Sequence, residues 1–196
     1  SYTSRSVGKR VVKPLLDSIY NTRGDIEMKL IMEGWRGFLT ETQMSVFHGN
    51  SKKFSKFDPR KTNEFGFHFG LDPKQAAHRI SNNGFLYEVM VVYRHPVEMP
   101  DFGRWTLRDI ASELGTPEEE IKKLEILAAE RAKESGGSMR VEQNVLTGAL
   151  LKDAGYDAIH YVNRGEGGGQ ALIIWDPSQI IIKEIFDGKL VHEVKD

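Results

Sequence analysis

Apolar residues in the first 40 positions recur at helical spacing: Leu15, Leu16, Ile19, Ile26, Leu30, Ile31, Trp35 and Phe38, interrupted around Asn21-Thr22-Arg23-Gly24. Steps of three and four place such residues on one stripe of a helix. Residues 14–38 therefore read as two amphipathic helices joined by a turn, preceded by a basic, small-residue arm. At Thr40 the period changes. Short apolar runs follow at Met44–His48, Phe65–Leu71 and Phe85–Tyr93, and the valines and aromatics of the third are those of a strand. Asp72-Pro73 has the order of a cap and a first helical position, and predicts a short helix to Ile80. A loop with one turn between Trp105 and Leu114 is expected after Pro96. Thr116-Pro117-Glu118-Glu119 opens a charged helix to about Glu134, with its acids in the first turn. Val141–Ala154 forms another helix, and strands are predicted at Ala158–Val162, Gln170–Trp175 and Ile180–Phe186. Strands and helices do not alternate regularly, which favours α+β over a doubly wound parallel sheet.

Composition removes several classes of chemistry. The 196 residues suffice for one domain with a short appendage. Cysteine is absent, so disulfides, thiolate metal sites and a cysteine nucleophile are excluded. No apolar run approaches the roughly 20 residues of a membrane span, and a cytoplasmic setting is expected. His48, His68, His78, His95, His160 and His192 lack the paired spacing with carboxylates that suggests zinc, so no metal is expected. The glycine-rich fingerprints of Rossmann folds and P-loops are missing. The net charge of −1 hides an asymmetry: residues 1–84 hold 14 Lys+Arg against 8 Asp+Glu, and residues 85–196 hold 13 against 20. An anionic ligand would suit the N-terminal side.

Candidate chemistry lies in an ordered series. Phe47-His48-Gly49 ends the first predicted strand and is followed by Asn50-Ser51-Lys52-Lys53-Phe54-Ser55-Lys56-Phe57-Asp58. Next come Phe65-Gly66-Phe67-His68-Phe69-Gly70-Leu71-Asp72-Pro73 with Ala76-Ala77, then Ala154-Gly155-Tyr156-Asp157-Ala158-Ile159. Asn163-Arg164-Gly165-Glu166 and Ile173-Ile174-Trp175-Asp176-Pro177-Ser178-Gln179-Ile180 close it. Over about residues 44–186 this series resembles the ADP-ribosyltransferase superfamily, in particular its diphtheria-toxin and poly(ADP-ribose) polymerase branch and relatives encoded by phages and mobile elements.

The resemblance implies an α+β split sandwich of two small, mainly antiparallel sheets with flanking helices, in residues 44–196, behind an N-terminal helical appendage in residues 1–43. It implies NAD as substrate, held in a cleft by His48, Gly49, Asn50, Phe69 and Gly70. His48 would bond the adenosine ribose and the Gly49 backbone the nicotinamide amide, an approach suited to a residue without Cβ. His68 stands where the family has a nicotinamide-stacking tyrosine, and its protonation would add a pH dependence near neutrality. The second family tyrosine falls near His78 and Arg79. Phe65, Phe67 and Phe69, alternating along a strand, would share the face opposite His68. Ala171 occupies the position of the family glutamate, so Glu166 or Gln170 is expected to support the transition state, with His68 the third catalytic candidate. Lys52, Lys53, Lys56, Arg60 and Lys61 would reach the NAD diphosphate or an anionic acceptor, or form a solvated basic loop.

The implied activity is transfer of ADP-ribose from NAD to a macromolecular acceptor, protein or nucleic acid, by a phage or bacterial effector or toxin. A binding module, or a virion or interaction protein that keeps the fold without transfer, is the alternative, because the strand glutamate is absent. Lys29-Leu30-Ile31-Met32-Glu33-Gly34-Trp35-Arg36 looks like the packaging segments of tailed-phage internal proteins, which would place the protein in a virion for delivery into host cytoplasm. The preferred reading of the same segment is a helical cap on the core or a docking surface for an antitoxin or capsid partner.

Overall fold

The computed structural model describes residues 41–62, 64–80, 84–165 and 168–188. The chain divides into two units, Ser1–Glu41 and Thr42–Asp196. The helices expected between residues 14 and 38 lie outside the described residues, which fall almost wholly in the second unit.

Its strands are β1 (Thr42–Asn50), β2 (Phe67–Gly70), β3 (Phe85–Tyr93), β4 (Pro96–Glu98), β5 (Ala158–Val162), β6 (Gln170–Ile174) and β7 (Ile180–Asp187). Among the described residues the helices are α1 (Pro73–Ala77), α2 (Leu107–Glu113), α3 (Glu118–Ser135) and α4 (Met139–Asp153). The fold is α+β, with one seven-stranded mixed sheet in the order β4-β5-β6-β2-β1-β3-β7. All pairs are antiparallel except β4 with β5.

The central joint is the narrowest. β1 and β3 pair along nine residues, from Thr42↔Tyr93 to Asn50↔Phe85, whereas β1 meets β2 only at Phe47↔Gly70. Four strands lie on one side of this joint and three on the other, so the two halves of the sheet are hinged at a single pair. The sheet also doubles over. Three strands separate β5 from β3, yet His160 Nε2 of β5 lies 3.0 Å from the Tyr93 hydroxyl of β3. Ala158, Leu172 and Ile174 of one half pack with Val46, Tyr87, Val89, Val91 and Tyr93 of the other.

Period-two alternation sorts the strand residues between this inner face and an outer one. Phe67 and Phe69 point inward with Leu172 and Ile174, whereas His68 faces outward with Ile159, Tyr161, Ala171 and Ile173. Phe65 breaks the expected alternation. It packs with Trp105, Ile110 and Leu151 on the outer side, because Gly66, at φ +67°, turns the chain before β2 begins. A Cβ at Gly66 would lie 2.5 Å from Ile173 Cγ2, so glycine is required there for space as well as conformation. α2 and α4 cover the outer face of the four-stranded half, and that of β1 and β3 is covered by Ala76 and Ala77 of α1 and by Ile80, which follows it.

Candidate functional site

Two hydrogen bonds explain why the joint opens. Leu71 N–H donates to Gln170 C=O at 3.3 Å, so by alternation Phe67 and Phe69 direct their backbone groups to β6, and His68 and Gly70 direct theirs to β1. Gly70 accordingly pairs with Phe47, and Gly49, two residues further along β1, points its N–H and C=O into the gap. The His68 carbonyl that faces that gap bonds the His48 imidazole at Nδ1, 2.8 Å away. A side chain thus takes an acceptor that the next rung of the ladder would use. Beyond it the strand ends diverge.

The resulting cleft offers about 590 Å³ between Gly49-Asn50, Gly66-Phe67-His68, Arg79 and the loop from Lys52 to Glu64. That loop follows an in–out rule. Phe54 and Phe57 turn inward, where Phe54 stacks on Tyr87 with ring centroids 4.2 Å apart, and Phe57 packs edge-on against His48 at 5.4 Å. The Tyr87 hydroxyl accepts from Phe54 N–H at 2.6 Å and donates to Phe54 C=O at 3.2 Å, tying the loop to β3. Lys52, Lys53, Lys56 and Lys61 are left exposed on the rim of the cleft. Arg60 is instead engaged by Asp58, with Nε 3.2 Å from Oδ1. Asn50 Oδ1 accepts from Lys52 N–H at 3.2 Å and shapes the turn out of β1.

The two histidines differ in what their ring nitrogens do. Only an N–H can pair with a carbonyl oxygen, so His48 carries its proton on Nδ1, and Nε2 is the acceptor of a ring that lines the cleft. Burial among Phe54, Phe57, Phe69 and Tyr87 lowers the pKa of His48; the His68 carbonyl opposes the shift and the Arg79 charge adds to it. His68 is 7% exposed. Its Nε2–H donates to Phe65 C=O at 3.2 Å, leaving Nδ1 to accept from the Tyr161 hydroxyl at 3.0 Å. Burial, then Arg79, pushes its pKa down to about 3, against the Phe65 bond. The expected titration of His68 near neutrality is therefore corrected: the ring stays neutral, and both nitrogens serve the fold.

The other candidates are placed as follows. Phe69 is buried in the inner core, and Gly70 forms the joint. Gly49 does lack room for a Cβ, but what fills that room is the Ala76 carbonyl of α1, 2.2 Å from the ideal Cβ position. His78 is exposed at the end of α1, while Arg79 lines the cleft. Gln170 is exposed at the start of β6 and does not line the cleft. Glu166 lies outside the described residues. Ala171, at the expected glutamate position, is buried on the outer face opposite Gly70.

Gln75 and Tyr161, which the sequence did not single out, meet Arg79 and Asn163 beside Ala171. A second cavity, of about 10 Å³, is lined in part by Gln75, Arg79, Tyr161 and Asn163, and shares Gly49, His68 and Arg79 with the cleft. The alternation Ile159, Tyr161, Asn163 signals that Asn163 continues the buried face of β5. Nothing in Pro73-Lys74-Gln75-Ala76-Ala77 singles out Gln75.

No helix among the described residues is long and apolar enough to cross a membrane. No protein-family model matches the chain, and no curated protein does. Among solved structures it is similar to an anti-CRISPR protein, with 15% identity, a TM-score of 0.37, and coverage of 74% of this chain and 96% of that one. It is also similar to a chain of the M. tuberculosis MbcT–MbcA toxin–antitoxin complex, with 10% identity, a TM-score of 0.42, and coverage of 80% and 91% respectively.

Proposed function

We propose that this chain is an NAD-dependent ADP-ribosyltransferase whose substrate lies in the cleft between the diverging ends of β1 and β2, in a split-sandwich fold of that superfamily. The observation that carries the reading is the opening itself. It directs the Gly49 N–H and C=O into the gap, a donor and acceptor suited to a carboxamide, beside an imidazole nitrogen able to accept from a ribose hydroxyl. The cleft volume falls within the roughly 300–1,000 Å³ of small-molecule sites. Four rim lysines supply positive charge for a diphosphate.

In the proposed reaction the bond from ribose C1′ to nicotinamide N1 breaks with its electron pair leaving on nicotinamide. A nucleophile of a macromolecular acceptor, protein or nucleic acid, forms the new bond to C1′ and releases its proton. The chain's own groups hold and orient: Gly49 at the carboxamide, His48 at a ribose, the lysines at the diphosphate. An effector or toxin role is the setting we attach to this activity. Glu166 and Gln170 remain its candidates for transition-state support.

Ala171 favours a second reading, a binding module without transfer, since a buried methyl group stands where a carboxylate is expected. Nicotinamide release from NAD and equilibrium binding of NAD separate the two. His48→Ala is expected to weaken NAD binding about tenfold, the worth of a well-made hydrogen bond and its packing. The transferase reading is abandoned if wild type releases nicotinamide no faster than His48→Ala, Glu166→Ala and Gln170→Ala. NAD binding without release would establish the module.

A further inference from the structure

The small cavity beside Ala171 holds a polar group without a partner. Gln75 is 6% exposed, and its Nε2 is buried with no hydrogen-bond partner. Leaving an amide N–H₂ unsatisfied in the interior is costly, and such a group in a native structure calls for an explanation. The surroundings are arranged around this carboxamide. Gly70 and Ala171 face each other across β2 and β6 and are small, and a Cβ at Gly70 would lie 2.9 Å from Gln75 Oε1. Gly169 closes the other side, its ideal Cβ position 3.6 Å from the same oxygen. The free volume, about 10 Å³, is that of one water-sized group and is too small for a ring. It adjoins the cleft through Gly49, His68 and Arg79.

We propose that Gln75 is a ligand-binding residue of this site: its Nε2–H donates to one uncharged oxygen that a molecule lying in the cleft inserts between β1 and β2. The inference rests on the NAD reading above, and assigns that oxygen to the nicotinamide riboside half, as either a ribose hydroxyl or the carboxamide oxygen. The cavity suits an alanine at position 171, where the resemblance implies a glutamate. A larger side chain there would fill the space that the Gln75 amide and the ligand oxygen share, and a neutral donor takes over the contact from β6 to α1.

The test is Gln75→Met, which keeps the length of the side chain and removes the amide, measured by thermal melting without ligand and by equilibrium titration with NAD and with ADP-ribose. Removing an unsatisfied buried amide is expected to raise the melting temperature by about 3 °C, while NAD affinity falls about tenfold. A penalty shared by ADP-ribose assigns the contact to a ribose hydroxyl, and one confined to NAD assigns it to the carboxamide. A variant that melts lower or fails to fold makes Gln75 a structural residue and overturns the proposal, as does unchanged NAD affinity. If wild type itself binds no NAD, the functional reading falls together with this one. If wild type binds and Gln75→Met binds equally well, this one falls alone.

Discussion

The joint at Phe47↔Gly70 has a histidine on either side, half-buried His48 on β1 and buried His68 on β2, and the two are employed differently. On the inner face His48 uses one nitrogen to hold the joint open, and its ring lines the basic cleft. On the outer face His68 spends both nitrogens on Phe65 and Tyr161 and lies edge-on to Trp105. Both are lowered in pKa by burial, so a shifted titration does not distinguish the functional ring from the structural one. What separates them is the number of ring nitrogens left for a ligand. The unpaired capacity on the outer face lies in Gln75 instead.

The joint is where this contrast breaks most easily. Gly49→Ala would drive a methyl group into the Ala76 carbonyl, a backbone atom that cannot move without α1, so the helix and the strand must part. A loss of about 3 kcal/mol in urea denaturation is expected, the upper end of ordinary overpacking costs. A loss below about 0.5 kcal/mol would show that β1 and α1 are not locked together, and that the cleft wall yields to small changes.

The next test titrates the outer face. In the unfolded chain His68 has its ordinary pKa near 6.5, and in the fold about 3. Between these values the unfolded chain binds a proton that the folded chain does not. Stability from this group is therefore intact above about pH 6.5 and falls with decreasing pH by about 1.4 kcal/mol per unit, or about 2 kcal/mol at about pH 5. The Arg79 charge adds to the shift, while the Phe65 carbonyl and Asp101 oppose it. The Glu64 carboxylate lies 3.5 Å from Nε2. The His48 shift acts in the same sense. His68→Gln should therefore flatten, without abolishing, the decline in urea midpoint from pH 7 to pH 5. An unchanged decline would mean that His68 titrates normally and that its buried bonds are not maintained.

These two regions also differ in how far they could be read from the chain. The chain was legible where local rules decide, as in the valines and aromatics of β3 and the Asp72-Pro73 start of α1, whereas the inward turn of Phe54 and Phe57 that leaves the lysines exposed was not read from it. The outer face depends on partners distant in sequence. β4 has three residues and no strand signal, and it is placed by parallel pairing with β5, while Asp157 accepts from the Arg94 and His95 N–H groups. The interval from Trp105 to Leu114 reads as one turn, yet Leu107–Glu113 forms a helix capped by Thr106, its Ile110 and Ala111 buried. Gln75 looks like any polar residue of a short helix until Gly70 and Ala171, contributed by two different strands, leave room for it to turn inward.

The smallest expected effect concerns the rim. Lys52 and Lys56 are exposed, and charges in that position act through a screened field. Lys53, whose ammonium lies 5.9 Å from the Phe85 ring centre, is held in part by the sheet and is a poorer probe of charge alone. Lys52→Ala with Lys56→Ala should weaken NAD binding about fivefold at low ionic strength, about 0.5 kcal/mol for each lysine, and less than twofold in about 0.5 M salt. Lys152→Ala, on α4 away from the cleft, serves as a control with no change. A penalty that persists in high salt would make the lysines direct, desolvated contacts. No penalty at any ionic strength would restrict ligand recognition to the diverging strand ends, where Gly49 and His48 face the gap.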